Sequence, residues 1–184
     1  MVFTFFNRIR CIPAWLIYRN SPEKNKIDED IAAFHATSFW KIMSTNTCFR
    51  SVFYARCQKH SSILVKIAKV FLRQKKDLQI DIQDGLGGGM NVYHGDSTIV
   101  YAKSVGKNFT VYQQVTLGRG KCINGNDSPI IGDNVTVYAG AIIVGGVHVG
   151  NHAKIGAGAV VVKDVPDYAT VVSAPARIIE HGKE

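Results

Sequence analysis

The side chain with the clearest chemical potential is His94, in the segment V-Y-H-G (92–95). Imidazole titrates closer to neutral pH than any other side chain, so a histidine is the usual base for removing the proton of a hydroxyl group. His148 and His152 are spaced H-x-x-x-H, which brings two zinc ligands together on a helix but not on short strands. His35 and His60 are expected to be ordinary helix residues.

A repeat with a period of six residues begins at Ile131. Neither a helix nor strand alternation has this period, which predicts a prism-shaped parallel β-helix with three six-residue faces in each coil. The first residue of each block fills the narrow core, and the fifth faces inward near a corner, where only small side chains fit. The first positions are Ile131, Val137, Ile143, Val149, Ile155 and Val161, and the fifth positions are Val135, Ala141, Val147, Ala153, Ala159 and Val165.

The repeat continues upstream, with two interruptions. Its earlier first positions are Ile80, Leu86, Val92, Ile99, Val105, Val111 and Leu117. The step from Val92 to Ile99 has one residue too many, close to His94. The step from Leu117 to Ile131 is long enough to predict an extruded loop over 119–129. Repeats usually break where function needs a shape that the repeat cannot supply, so we interpret both breaks as functional.

The N-terminal part lacks the repeat. It is predicted to form a small α-helical domain over 1–78, followed by the β-helix domain over 79–184. Residues 1–79 contain 14 Lys and Arg against 5 Asp and Glu, whereas residues 80–184 contain 8 against 9, so all of the net positive charge of the chain lies here. A basic surface favours anionic partners.

Three helices are predicted in this domain, over about 27–43, 47–59 and 60–75. In the last one Ile63, Ile67 and Val70 share one side, and its lysines lie largely on the other. Residues 60–76 therefore either pack on their own domain or contact a membrane surface.

The location of the chain is predicted from its apolar runs and cysteines. No apolar run reaches the roughly 20 residues that span a bilayer, and no cleavage site for a signal peptide is found near the N-terminus. The four cysteines contain no C-x-x-C pair, which fits free thiols in a reducing cytoplasm. A cytoplasmic protein is expected, peripheral at the inner face of the membrane if 60–76 binds lipid.

Taken together, these segments resemble the hexapeptide-repeat acyltransferases, and within them the serine acetyltransferase-like branch, of the capsule or exopolysaccharide O-acetyltransferase type. The resemblance covers about 79–179 and rests on D-I-Q (81–83), V-Y-H-G (92–95), V-T-L-G (115–118), P-I-I-G-D-N-V (129–135), I-G-A-G-A-V-V (155–161) and K-D-V-P (163–166). The segment F-R-S-V-F-Y-A-R (49–56) is similar to the helical cap of capsule-cluster members. The resemblance implies a mainly β fold, a left-handed parallel β-helix, that assembles as a homotrimer. It also implies acetyl-CoA as co-substrate between subunits, no metal and no nucleic acid.

The resemblance also implies roles for individual residues. His94 matches the general base, and Asp81 matches the aspartate that orients it. This chain is two residues shorter between them than the family usually is, so Asp84 remains an alternative. The residues that match CoA-binding positions, or that could meet the nucleotide phosphates, are Gly118, Ala139, Gly156, Ala157, Lys163 and Arg177.

Three substrate-binding positions differ from those of true serine acetyltransferases. Tyr93 replaces the aspartate that precedes the catalytic histidine, and Asp127 and Ser128 replace an Arg-His pair. An aspartate in place of a cation repels a carboxylate. We therefore expect direct, histidine-assisted transfer of acetyl to a hydroxyl of a saccharide. The alternatives are true serine O-acetylation in cysteine biosynthesis and a non-catalytic hexapeptide-repeat scaffold.

Overall fold

The computed structural model describes residues 2–60, 62–174 and 179, in which N-terminal helices lead into a parallel β-helix. The helices are α1 (Val2–Asn20), α2 (Lys24–Ala33), α3 (Phe39–Thr45), α4 (Thr47–Cys57) and α5 (Ser62–Phe71). The strands are β1 (Leu78–Leu86), β2 (Asn91–Val92), β3 (Thr98–Val105), β4 (Thr110–Val111), β5 (Thr116–Gly118), β6 (Ile130–Ile131), β7 (Thr136–Val137), β8 (Ile142–Val144), β9 (His148–Val149), β10 (Lys154–Ile155), β11 (Val160–Val161) and β12 (Thr170–Val171). No described helix is long and apolar enough to cross a membrane.

The strands stack in three parallel columns, which are the faces of the prism. The first face joins the start of β3 to β5, β8 and β11, and the second joins the end of β3 to β6 and β9. The third face is β2, β4, β7, β10 and β12. Strand β1 runs parallel to the whole of β3 and begins the first coil. This architecture confirms the predicted parallel β-helix with a small N-terminal helical region.

The six-residue period describes the core of the β-helix closely. Every predicted first-position and fifth-position residue from Ile131 to Val165 is at most 5% exposed. The prediction for Ile99 is wrong: this side chain is 40% exposed, and Val100 is fully buried in its place. The cause is the turn before β3, where His94, Gly95 and Ser97 have positive φ. The step from Val92 to the next inward residue is therefore eight residues, two more than the period of six and one more than expected. The inward position falls on Val100 instead of Ile99.

The helix predicted over 27–43 is wrong as a single element. Helix α2 ends at Ala33, and His35 adopts a left-handed φ of 54°. The amide of His35 donates to the carbonyl of Ala32, and the amide of Ala36 donates to that of Ile31. These two bonds form a Schellman motif, which satisfies the last carbonyls of α2 and turns the chain.

The helical domain is fastened to the first coil by a buried ion pair. The guanidinium of Arg56 donates to both carboxylate oxygens of Asp30, at 2.9 and 3.0 Å, and to the carbonyls of Leu86 and Gly87. Asp30 also accepts from the amide of Met90, at 2.9 Å. Burial raises the pKa of the Asp30 carboxyl to about 6, so the group is ionised at neutral pH. One polar cluster thus joins α2, α4 and the turn after β1.

A glycine lies next to this contact. A Cβ atom at Gly88 would lie 1.8 Å from a carboxylate oxygen of Glu29, so a larger residue there would require the Glu29 side chain to move. From α4, Cys48 and Val52 reach into the core of the β-helix. Helix α5 ends at Phe71 and β1 begins at Leu78. The domain division at residue 78 stays a prediction, and so does the assignment of 119–129 as an extruded loop, although these residues connect β5 to β6.

Candidate active site

His94 lies on an exposed turn between β2 and β3, with a left-handed φ of 64°. Backbone hydrogen bonds hold this turn on both sides. The amide of Gly95 donates to the carbonyl of Tyr93, at 2.8 Å, and the amide of Gln114 donates to that of Asp96 from the next coil, at 2.8 Å. The imidazole is therefore carried by an ordered turn at one edge of the prism.

Side chains of the helical domain also bind this turn. The thiol of Cys48 in α4 donates to the carbonyl of His94, with a sulfur–oxygen distance of 3.3 Å. The ammonium of Lys75 lies 2.6 Å from a carboxylate oxygen of Asp96. Burial raises the pKa of the Cys48 thiol, which keeps it protonated as a donor, and Lys75 holds the pKa of Asp96 below its ordinary value. The position of His94 thus depends on residues outside the repeat.

A cavity of about 410 Å³ opens in front of His94, between the helical domain and the first coil. Tyr93 and His94 line it from the coil, while His35, Asn46 and Cys48 line it from the helical domain. The prediction that His35 is an ordinary helix residue is wrong, because its left-handed conformation at the end of α2 carries it to this cavity. The sequence pattern offered no signal for this position, since the helix was expected to continue.

Three tyrosines form a column on the third face, starting beside His94. The rings of Tyr93 and Tyr112 are stacked at 4.8 Å, and those of Tyr112 and Tyr138 at 5.3 Å. The next position in this column is Gly156, whose amide bonds to Val171 in the last coil. The ring of Tyr112 thereby supports Tyr93 beside the base, and the column of rings ends at Gly156, which has no side chain.

Small residues continue the edge that carries His94. Gly140 donates to the carbonyl of Gln113, and Gly158 donates to that of Ala139, so the turns of successive coils lie above one another. Ala139 and Ala157 therefore follow His94 along one edge, next to Gly156. Among the buried side-chain oxygens and nitrogens of the described chain, only Oε1 of Gln113 lacks a hydrogen-bond partner. A buried oxygen of this kind needs a donor from a water molecule, a ligand or another subunit.

The remaining predicted CoA-binding residues lie elsewhere. Gly118 ends β5 at the opposite edge of the first face, and Lys163 follows β11 along that same edge. Within one subunit, the structure therefore places this pair a face away from the edge of His94. Arg177 lies outside the described residues.

The predicted partner of His94 is not brought to it. Asp81 lines a separate cavity with Gln58 and Lys59, and Asp84 lines another with Arg56 and His60. No carboxylate of the described residues lies within hydrogen-bond distance of the His94 ring. The pairing of Asp81 or Asp84 with His94 stays a prediction.

The predicted substrate positions in the loop contact each other. The hydroxyl of Ser128 is buried and donates to Asp127, at 2.6 Å. Arg119 lies 3.6 Å from the other oxygen of Asp127, and its guanidinium stacks over the ring of Tyr101. This arginine was not singled out from the sequence. Because it pairs with Asp127, the loop does not present the bare negative charge from which repulsion of a carboxylate was predicted.

No metal site was found in the described part of the chain, where no three or more His, Cys, Asp or Glu side chains are grouped to hold an ion. His152 instead stacks on Tyr168, with ring centroids 4.6 Å apart.

The coiled fold and its period place the chain in the class of hexapeptide-repeat proteins. Residues 128–163 match the family described as "Bacterial transferase hexapeptide (six repeats)". Within that class the similarity is to serine acetyltransferases. The enzyme of Bacillus pumilus is 43% identical over 97 residues, which are 52% of this chain and 42% of that protein. These matches confirm the recognised family and its serine acetyltransferase-like branch.

Solved serine acetyltransferases share the fold. The Neisseria gonorrhoeae enzyme in complex with serine aligns with a TM-score of 0.65 and 27% identity, covering 87% of this chain and 70% of that one. A serine acetyltransferase in complex with CoA aligns with a TM-score of 0.64 and 26% identity, covering 91% and 74%. The chain spans about half the length of the curated relatives it matches.

Proposed function

We propose that this protein is an acetyl-CoA-dependent O-acetyltransferase and that its acceptor is the hydroxyl of serine. The observation that carries the proposal is His94, exposed on an ordered turn at the mouth of a cavity, in a fold shared with serine acetyltransferases. One structural relative was solved with serine and another with CoA, which supports the same two ligands here.

In this mechanism His94 acts as the general base. Its ring takes the proton of the acceptor hydroxyl while the oxygen attacks the thioester carbonyl, because a hydroxyl is a poor nucleophile until it loses that proton. The imidazolium then gives the proton to the departing CoA thiolate. The cavity holds the acceptor between His94 and the helical domain, and Tyr93 borders it on the coil side.

The edge below His94 suits the arm of acetyl-CoA. Ala139, Gly156 and Ala157 leave the main chain accessible, and the unpaired oxygen of Gln113 offers an acceptor for an amide N–H. Gly118 and Lys163 lie on the other edge of the same face, so they would complete the site from a neighbouring subunit. That arrangement requires the homotrimer, which we include in the proposal.

A saccharide hydroxyl is the second candidate acceptor. Tyr93, stacked on Tyr112, favours it, since an ordered aromatic side chain beside the base suits a sugar ring better than a small amino acid. The argument against serine was that Asp127 in the loop repels a carboxylate. The ion pair between Arg119 and Asp127 weakens that argument. The relatives favour serine over a saccharide, and a non-catalytic scaffold would leave the His94 cavity without a role.

The proposal is tested by measuring thiol release from acetyl-CoA with purified protein and candidate acceptors. We expect L-serine to accelerate CoA release well above the rate of hydrolysis, with O-acetylserine as the product. Release that depends on a sugar or oligosaccharide, but not on serine, would refute the serine assignment and support the second candidate. No release with any acceptor, and no thermal stabilisation by acetyl-CoA, would refute the enzyme.

The contact between the helical domain and the His94 turn can be tested by replacing Lys75. Replacing Lys75 with Ala removes the ion pair with Asp96, and we expect kcat to fall by up to about 100-fold because the base is displaced from the reacting hydroxyl. The melting temperature should hardly change, since such an exposed ion pair contributes little to the free energy of unfolding.

The matched control is Lys26→Ala, which breaks an ion pair with Glu23 at a distance of 3.1 Å, in α2. Lys75→Arg should restore kcat. If Lys75→Ala changes kcat no more than Lys26→Ala does, Lys75 does not position the turn.

A further inference from the structure

Helices α1 and α5 carry apolar side chains on the sides that face solvent. Val65 and Ala68 in α5 and Leu72 directly after it are buried, and in α1 the buried residues are Cys11, Ala14 and Ile17. The opposite sides are apolar as well. The exposed apolar side chains there are Ile9, Ile12 and Leu16 in α1 and Ile63, Leu64, Ile67, Val70 and Phe71 in α5. Packing inside the domain therefore explains only one side of each helix.

The two helices lie against each other. The guanidinium of Arg10 donates two hydrogen bonds to the carbonyl of Phe71, at 2.9 and 3.2 Å, and Val65 and Cys11 belong to one core cluster. We name the eight exposed apolar residues of the two helices the α1/α5 surface. Large exposed apolar patches rimmed by polar residues mark sites of interaction with proteins or membranes.

The charges around the α1/α5 surface have one sign. Arg8, Lys66, Arg73 and Lys76 are exposed on these helices or directly after them. The sequence contains no Asp or Glu before Glu23, and none between Ile31 and Lys76. An apolar helix face flanked by lysine and arginine, without acidic residues, is the pattern of helices that lie in the interface of an anionic membrane.

We propose that the α1/α5 surface docks on an anionic lipid bilayer. The apolar side chains enter the boundary between headgroups and acyl chains, and the cations meet the lipid phosphates. This surface is wider than the predicted contact through 60–76, because α1 contributes to it. The proposal is independent of the acceptor, and it concerns a different surface from the His94 cavity.

A second copy of the chain is a poorer occupant than lipid. Two α1/α5 surfaces in contact would bring two sets of cations together, with no acidic residue on either helix to pair with them. Like charges placed together at an interface cost free energy. A bilayer of anionic lipid offers the opposite charge and an apolar layer in the same place.

The test is sedimentation of the full-length protein with vesicles of phosphatidylcholine, with or without phosphatidylglycerol. We expect binding to the anionic vesicles. The double variant Ile67→Glu/Val70→Glu should weaken it by at least about 10-fold, since it removes two apolar side chains and adds repulsion. Lys66→Ala should weaken it by about fivefold on anionic vesicles alone.

The matched control is the double variant Val160→Glu/Val172→Glu, in the β-helix. Val160 is 62% exposed and Val172 is 76% exposed, so this control adds the same charge as Ile67→Glu/Val70→Glu at open positions away from the α1/α5 surface. Circular dichroism establishes that each variant is folded. The proposal is overturned if the wild-type protein does not bind anionic vesicles or if the control weakens binding as much as Ile67→Glu/Val70→Glu. It is also overturned if the surface instead drives self-association, seen as a particle mass that rises with concentration and is lowered by Ile67→Glu/Val70→Glu.

Discussion

Replacing His94 with Ala should lower kcat for acetyl transfer by about 10²- to 10⁴-fold, the usual contribution of a positioned general base. The acceptor hydroxyl would then keep its proton, because the imidazole proposed to take it is gone. KM for acetyl-CoA should change little, because the residues proposed to bind CoA lie along the edge below. The measurement is CoA release under saturating acetyl-CoA.

Two variants separate the loss of the base from damage to the turn. His94→Asn keeps a residue type that tolerates positive φ, so it should fold as well as the wild type while remaining inactive. His152→Ala removes an exposed imidazole that stacks on Tyr168, and it should leave kcat unchanged. Activity in His94→Asn comparable to the wild type would refute the assignment of the base.

Replacing Arg56 with Met should lower the free energy of unfolding by about 3–5 kcal/mol, the range for breaking one side of a buried ion pair. The side chain of Arg56 is fully buried, and its loss leaves the Asp30 carboxylate without a counter-charge and the carbonyls of Leu86 and Gly87 without the guanidinium donor. Denaturant unfolding followed by circular dichroism measures the effect.

The comparison variants distinguish burial from charge. Arg119→Met breaks an exposed ion pair with Asp127 and should cost no more than about 1 kcal/mol. The double variant Arg56→Met/Asp30→Leu removes both charges and should be more stable than Arg56→Met, because no buried charge stays unpaired. If Arg56→Met costs as little as Arg119→Met, the ion pair does not fasten the helical domain to the coil.

The β-helix could be predicted from the sequence because its core is a local property. Each block of six residues places its own Ile or Val in the core, so the repeat from Ile131 to Val165 determines the burial of its residues without distant contacts. The prediction failed at Ile99, where the turn that carries His94 uses more residues than the period allows. The break was visible in the sequence, but its length was not, since either Ile99 or Val100 can fill the core.

The candidate site could be predicted only in part. His94 stands out because it lies beside the break in the period. The other side of its cavity comes from the helical domain, where His35 is placed by a Schellman turn and Cys48 by a contact across 46 residues of sequence. Such contacts depend on how the helical domain packs on the β-helix, and the six-residue repeat gives no information about them. Arg56 and Asp30 were missed for the same reason, since a single arginine in a basic domain gives no signal of burial.

The helical domain has one more consequence for the chain, through its place on the first coil. A parallel β-helix ends in strands whose open backbone and apolar core can template the addition of further strands, which is how such coils propagate into fibres. Here α4 covers the first coil, and Cys48 and Val52 close its core. We therefore expect a β-helix without these helices to expose its core at the coil that carries His94 and to associate end to end.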